Sequence, residues 1–180
     1  MRVPKITYIV KWKLNTVFTA LFFVLISLQV FSQGGFKWSN DSNSYYRIVN
    51  NNIVLYSLPS NDSKVLVSKE QLTPEGSEKP LEVSYFNISD DEQKVLLFTN
   101  TKRVWRINTK GDYWVLNKAT GSLQQLGKTL PESSLMFAKF SPDGKSVAYV
   151  SGNNIYVEDL STSKIKALTT DGTTTLINGT

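Results

Sequence analysis

The chain contains no cysteine and no histidine among its 180 residues. Without histidine, neither a Ser-His-Asp nor a Cys-His catalytic set can be assembled from these residues. The two absences together exclude zinc fingers, ordinary catalytic zinc, thiolate iron–sulfur sites and disulfides. Acid is missing at one end: residues 1–32 carry Arg2, Lys5, Lys11 and Lys13 and no Asp or Glu. The formal charge of +5 is therefore mostly a property of that end, because the 20 Lys and Arg less those four leave 16 cations against 15 acids. So neutral a body has no electrostatic footprint for nucleic acid. What is present is 41% hydrophobic, 12% aromatic and 19% charged. That composition argues against disorder and, at this length, permits one domain with a targeting segment.

Residues 14–31, LNTVFTALFFVLISLQVF, form an uncharged apolar run preceded by the four cations and followed by Ser32, Gln33, Gly34 and Gly35. Basic, apolar, then small is the order of an export signal. Val30 and Ser32 suit the −3 and −1 positions of a cut before Gln33. The alternative is an uncleaved signal anchor, since the run approaches the ~20 residues that span a bilayer. Either way the remainder is expected outside the cytosol, periplasmic or secreted, with a signal helix over 1–32 and a separate body over 33–180. No lipobox cysteine is present to anchor this end by lipid.

The body repeats itself. Against residues 137–169, the stretch 85–99 aligns at a constant offset of 52: Ser89 meets Ser141, Asp91 meets Asp143, Val95 meets Val147 and Phe98 meets Val150. Residues 112–127 align at an offset of 42, Trp114 on Tyr156, Val115 on Val157, Asn117 on Asp159 and Leu123 on Ile165. The middle copy thus holds ten extra residues between its halves. An earlier copy over 38–58 lies at an offset of 102, with Ser39 on Ser141, Asp41 on Asp143, and Asn51-Asn52 on Asn153-Asn154. Each copy reads as strands joined by turns. Ser141-Pro142-Asp143-Gly144 is turn chemistry, Ser146–Ser151 a strand, Gly152-Asn153-Asn154 a turn and Ile155-Tyr156-Val157 the next strand. Four short antiparallel strands per period of roughly 45–52 residues mark β-propeller blades. The expected fold is all-β, a partial propeller of about three four-stranded blades. A β-sandwich would not explain the recurring S-x-D register. Three blades do not close a ring of about 4–8, so the residues are expected to be the N-terminal part of a longer protein.

The ten-residue insertion, within Asn100–Gly111, is the stretch where function is most readily built on a repeat scaffold: it holds Lys102, Arg103, Arg106 and Lys110 and no acid. Arg106, beside Trp105, is suited to hold a carbonyl or carboxylate through its planar fork. A solvated hairpin tip is the plainer reading. Asp90-Asp91-Glu92 resembles a metal cluster but falls in the turn that Pro142-Asp143-Gly144 occupies in the last copy. Asn61-Asp62-Ser63, Asn87-Ile88-Ser89 and Asn178-Gly179-Thr180 match the glycosylation pattern. Trp105, Tyr113, Trp114 and Tyr156 could line a sugar-binding face, but strand aromatics are expected in blade cores.

Leu97-Phe98-Thr99-Asn100, Arg103-Val104-Trp105-Arg106, Asp112-Tyr113-Trp114-Val115-Leu116, Met136–Gly144 and Asn154–Leu160 resemble the propeller domain of dipeptidyl peptidase IV enzymes, in the prolyl oligopeptidase clan of serine peptidases, and most of all their Bacteroidetes-type members. The resemblance covers about residues 36–180. It implies an eight-bladed propeller followed by an α/β-hydrolase domain, removal of dipeptides with Pro or Ala as second residue, no cofactor and no metal, and a homodimer. It also implies a role for Trp105-Arg106: in the family an Arg of a Trp-Arg motif binds a substrate backbone carbonyl. Arg106 is thus the expected substrate-binding residue, with Arg103 the substitute if the register is displaced. The family's acidic motif would begin beyond Asn178-Gly179, and the catalytic Ser, Asp and His belong to the hydrolase domain. These 180 residues alone are expected to be inactive. The rival readings are a non-catalytic secreted propeller that binds proteins or glycans, and a membrane-anchored sensor. An acidic pair and a G-x-S-x-G elbow beyond Thr180 would favour the enzyme.

Overall fold

Alternation of apolar and polar residues at period two, punctuated by turn residues, builds twelve antiparallel strands in a computed structural model that describes residues 36–179. They form three four-stranded sheets in strictly sequential order. Blade 1 comprises β1 (Phe36–Trp38), β2 (Ser44–Val49), β3 (Asn52–Ser57) and β4 (Asp62–Val67). Blade 2 comprises β5 (Val83–Ile88), β6 (Lys94–Val104), β7 (Ile107–Asn117) and β8 (Leu123–Gln125). Blade 3 comprises β9 (Met136–Phe140), β10 (Ser146–Ser151), β11 (Asn154–Asp159) and β12 (Ile165–Ala167). This is the partial propeller that the repeat implied. Residues 1–32, the expected export signal or anchor, lie outside the described residues.

Blade 2 is buried on both faces, and its strand pattern shows why. On β6, Val95 and Leu97 point into one core with Tyr46, Ile53, Val67 and Leu72 of blade 1 and its outgoing linker. The intervening Leu96 and Phe98 point into a second core with Leu126, Leu135, Val147 and Tyr149 toward blade 3. A strand with both faces covered reads as a continuous apolar run, here Val95-Leu96-Leu97-Phe98. The apolar contacts between blades, rather than within one sheet, are the stabilising cores.

The repeated S-x-D register is a turn device. In each blade the first hairpin closes with a backbone bond from Ser39, Ser89 or Ser141 to the carbonyl of Ser44, Lys94 or Ser146. Asp91 Oδ1 accepts from Ser89 Oγ at 2.6 Å and from Gln93 N at 3.0 Å. Asp143 Oδ1 accepts from Ser141 Oγ at 2.6 Å and from Lys145 N at 3.1 Å. Asp41 does the same work through Asn43 N and Ser44 Oγ. The residue after each Asp has positive φ: Ser42 at 59°, Glu92 at 56° and Gly144 at 64°. Asp90-Asp91-Glu92 is therefore a turn, as its alignment indicated.

The recurring Asn pair has a second role. Asn52 and Asn154 open the third strands of blades 1 and 3, and Asp112 takes the equivalent repeat position within β7, where the ribbon joins the blade. Each uses a side-chain oxygen to accept a backbone N–H from the linker leaving its blade: Asn52 from Lys69 at 2.8 Å, Asp112 from Ser133 at 2.7 Å, Asn154 from Gly172 at 2.9 Å. One residue earlier, Asn51 bonds Leu81 O and Val83 N, and Asn153 bonds Thr173 O. In blade 2 that position is Gly111, whose backbone exchanges two bonds with Leu135.

Candidate functional site

The insertion lengthens one hairpin. Blades 1 and 3 turn from second to third strand over two residues, Asn50-Asn51 and Gly152-Asn153. In blade 2 the matching pair Thr99↔Asp112 is followed by further pairs, Lys102↔Lys110, Arg103↔Asn108 and Val104↔Ile107. A two-stranded ribbon over residues 100–111 thus stands out from the blade, about 15 Å long at ~3.3 Å per residue. Register shifts on either side of Lys102 bend it. Side chains brace it: Asn108 Nδ2 donates to Thr101 Oγ1 at 2.7 Å, and Thr101 Oγ1 and Ser84 Oγ of β5 lie 3.5 Å apart.

The tip is Trp105-Arg106. Trp105 has φ 63° and is 93% exposed. Positive φ at the first central position of a two-residue hairpin turn is normally given to Gly. A bulky residue there carries strain of order 1–3 kcal/mol. Arg103 Nε donates to Trp105 O at 3.1 Å and supports the turn from one side. Among the described residues no hydrogen bond or ion pair engages Arg106. Its guanidinium lines an open groove of about 450 Å³ with Ser84, Tyr85, Phe98, Arg103, Ile107 and Asn108. No acid lines it. Two guanidiniums, a hydroxyl, an amide and aromatic faces suit recognition of a carbonyl or carboxylate. They include no nucleophile–base pair.

The ribbon's base is rigidly held. Asn100 Nδ2 donates to Asp112 Oδ2 at 2.8 Å and to Glu132 Oε1 at 2.7 Å. Ser133 Oγ donates to Asn100 O at 2.8 Å. Below it, Phe98 and Tyr113 stack with centroids 4.6 Å apart, and burial pushes the Tyr113 hydroxyl up to about 12.

Arg106 and Arg103 thus share one groove at the tip of the extension. Tyr113 is buried in the blade 2–3 core, and Trp114 and Tyr156 pack against cores as strand aromatics should. Trp105 departs from that expectation, because the turn that carries it lies beyond the blade edge. Of the sequons, Asn87-Ile88-Ser89 has its Ser89 buried, and its half-buried Asn87 accepts from Lys37 Nζ through the amide oxygen. Among the described residues no group of three acids could hold a metal. Sequence reasoning missed the Asn100–Asp112–Glu132–Ser133 cluster. Its only signal was position: Asn100 and Asp112 flank the insertion.

Three four-stranded blades, the middle one extended into a cationic, aromatic-tipped arm, define part of a β-propeller domain. Residues 89–180 match the family described as Dipeptidyl peptidase IV (DPP IV) N-terminal region, and the chain belongs to it. The chain is 33% identical over 130 residues to the probable dipeptidyl-aminopeptidase B of Trichophyton verrucosum, covering 72% of this chain and 13% of that protein. It is 33% identical over 142 residues to dipeptidyl aminopeptidase B of Saccharomyces cerevisiae, covering 78% and 17%. The crystal structure of Porphyromonas gingivalis dipeptidyl peptidase 4 superposes with a TM-score of 0.66 at 25% identity, covering 77% of this chain and 20% of that one. The chain therefore spans less than a fifth of the length of these two curated relatives.

Proposed function

We propose that the chain is the propeller portion of an exported serine dipeptidyl peptidase that removes X-Pro or X-Ala dipeptides, and that Arg106 anchors the substrate by a backbone carbonyl. The observation that carries this reading is the unengaged Arg106 guanidinium at the tip of an arm that blades 1 and 3 lack. Family membership and the peptidase names of the relatives support it. The chemistry of bond cleavage would reside in a hydrolase domain, because these residues hold no histidine. The reading extends to a homodimer of the whole enzyme. It also extends to export to the periplasm or exterior, directed by residues 1–32 as a cleaved signal or a retained anchor.

The test is Arg106→Ala in the full polypeptide that the gene encodes, assayed on a dipeptidyl-Pro substrate. A lost charge-assisted hydrogen bond of about 2–3 kcal/mol predicts a higher KM and kcat/KM lowered roughly 10²-fold. Arg106→Lys should recover little, since a point charge does not reproduce the planar fork. Unchanged kinetics in both variants would refute the assignment of Arg106, and a full polypeptide inactive on that substrate would favour a non-catalytic binding module.

A further inference from the structure

We propose that Asn100 and Asp112 are positioning residues that lock the arginine-bearing ribbon to the linker between blades 2 and 3. The proposal rests on the reading of Arg106 for its kinetic consequence, and on geometry alone for the lock itself.

The equivalence of blades carries the inference. At the first position of the third strand, blades 1 and 3 have asparagine, Asn52 and Asn154. Asparagine has one side-chain oxygen, and there it accepts the N–H of the outgoing linker. Blade 2, which alone among the three carries the ribbon, has Asp112 instead. Its Oδ1 performs the same linker duty at 2.7 Å from Ser133 N, and its Oδ2 is freed to accept from Asn100 Nδ2 at 2.8 Å. Asn100 is the first ribbon residue. The same amide nitrogen donates to Glu132 Oε1 at 2.7 Å, and the Asn100 carbonyl accepts from Ser133 Oγ at 2.8 Å. A second carboxylate oxygen thus converts a blade–linker tie into a three-way junction of blade, linker and ribbon. Hydrogen bonds to ionised acceptors are roughly twice as strong as neutral ones. Gly111 closes the opposite strand of the base through its two bonds to Leu135. Both strands of the ribbon are therefore fixed to the linker at their root, five or six residues below Arg106. An angular error at the root is carried to the tip, and misplacement of a binding group by about 1 Å can cost up to 10²-fold.

Asp112→Asn is the decisive variant, because it recreates in blade 2 the residue of blades 1 and 3. The linker bond survives through the amide oxygen, while the amide nitrogen then opposes the Asn100 nitrogen, donor against donor. Asn100→Ala removes the same contact from the other side. Both are made in the full polypeptide. Amide hydrogen exchange should quicken over 101–110 in both variants and stay unchanged over Val95–Phe98. On a dipeptidyl-Pro substrate, KM should rise about tenfold with kcat nearly constant. Each change combined with Arg106→Ala should be no worse than Arg106→Ala alone, since a misaimed arm matters only if it carries the arginine. Ribbon exchange equal to wild type overturns the proposal, and so does exchange that quickens equally in blade and ribbon. If the ribbon alone loosens while Arg106→Ala leaves kinetics unchanged, the lock stands and the reading of Arg106 fails.

Discussion

At the scale of single residues, the arm depends on positions chosen for what they lack. Gly111 is one. Its backbone pairs with Leu135, and a Cβ built there would lie 2.5 Å from Phe98 Cε2 and 2.6 Å from the Thr99 carbonyl oxygen. The Phe98 ring is stacked on Tyr113 and buried, and the Thr99 carbonyl belongs to the neighbouring strand, so neither can retreat cheaply. Gly111→Ala should therefore cost about 1–3 kcal/mol by overpacking. Gly121 is the control: it has φ +72° in a turn with nothing within 4 Å of its would-be Cβ. Gly121→Ala should cost only the left-handed penalty of about 1–2 kcal/mol. Urea midpoints give the two losses, and the near-ultraviolet signal of the Phe98–Tyr113 stack distinguishes the cases, because only Gly111→Ala should shift it. A Gly111→Ala variant indistinguishable from wild type would mean that the strands separate freely at the ribbon root.

At the scale of elements, the S-x-D turns were legible and their physical cause is now visible. The spacing alone placed Ser39, Ser89 and Ser141 in register, because each hairpin needs an acceptor in the same place. The bonds that the aspartates receive leave an imprint on acid stability. The Asn43 N–H holds the Asp41 carboxyl below its usual range, and the Ser89 and Ser141 hydroxyls do the same for Asp91 and Asp143. In the last turn of blade 3, Ser161 and Thr162 hold Asp159 at about 2. A depressed folded-state value means that the ionised form favours folding. The contribution is complete above the unfolded carboxylate value of about 4 and is lost as pH falls through the folded values. Urea midpoints should therefore decline between about pH 4 and pH 2. The triple variant Asp41→Asn, Asp91→Asn, Asp143→Asn keeps an acceptor oxygen in each turn and removes the charge. It should start lower at pH 6 and lose less on acidification. A parallel decline in wild type and variant would assign acid lability to other groups. The linker junctions, by contrast, were not legible: Asp112 meets Ser133 across a linker that carries no repeat, and a periodic pattern says nothing about its partners.

At the scale of the molecule, the propeller could be read because three blades use one recipe, and the site could be read only where it broke that recipe. Arg106 stood out in an insertion. The groove beneath it did not, because Ser84 and Tyr85 belong to an ordinary strand and become lining only once the ribbon bends. Nor did the tie between blades 2 and 3. Glu158 aligns with Leu116 and Tyr56, so no repeat marks it as special. Yet it is 2% exposed, and its Oε2 accepts from Gly127 N at 2.8 Å and from Tyr149 OH at 3.0 Å. Burial, reinforced by the Glu158 charge, pushes the Tyr149 hydroxyl upward and keeps it a neutral donor. Gly127 follows β8, whereas Glu158 and Tyr149 sit on adjacent strands of blade 3, so one carboxylate oxygen fastens the end of one blade to the next. Glu158→Ala would orphan two buried donors, at about 1–3 kcal/mol each, and open a cavity besides. A loss of about 3–5 kcal/mol is expected in urea unfolding. Tyr149→Phe removes one of those donors, so the double variant Glu158→Ala/Tyr149→Phe should lose about 0.5–3 kcal/mol less than the two single losses combined. Strict additivity would show that the Tyr149 hydroxyl and the Glu158 carboxylate act independently, and would leave Gly127 N as the one donor that Glu158 serves.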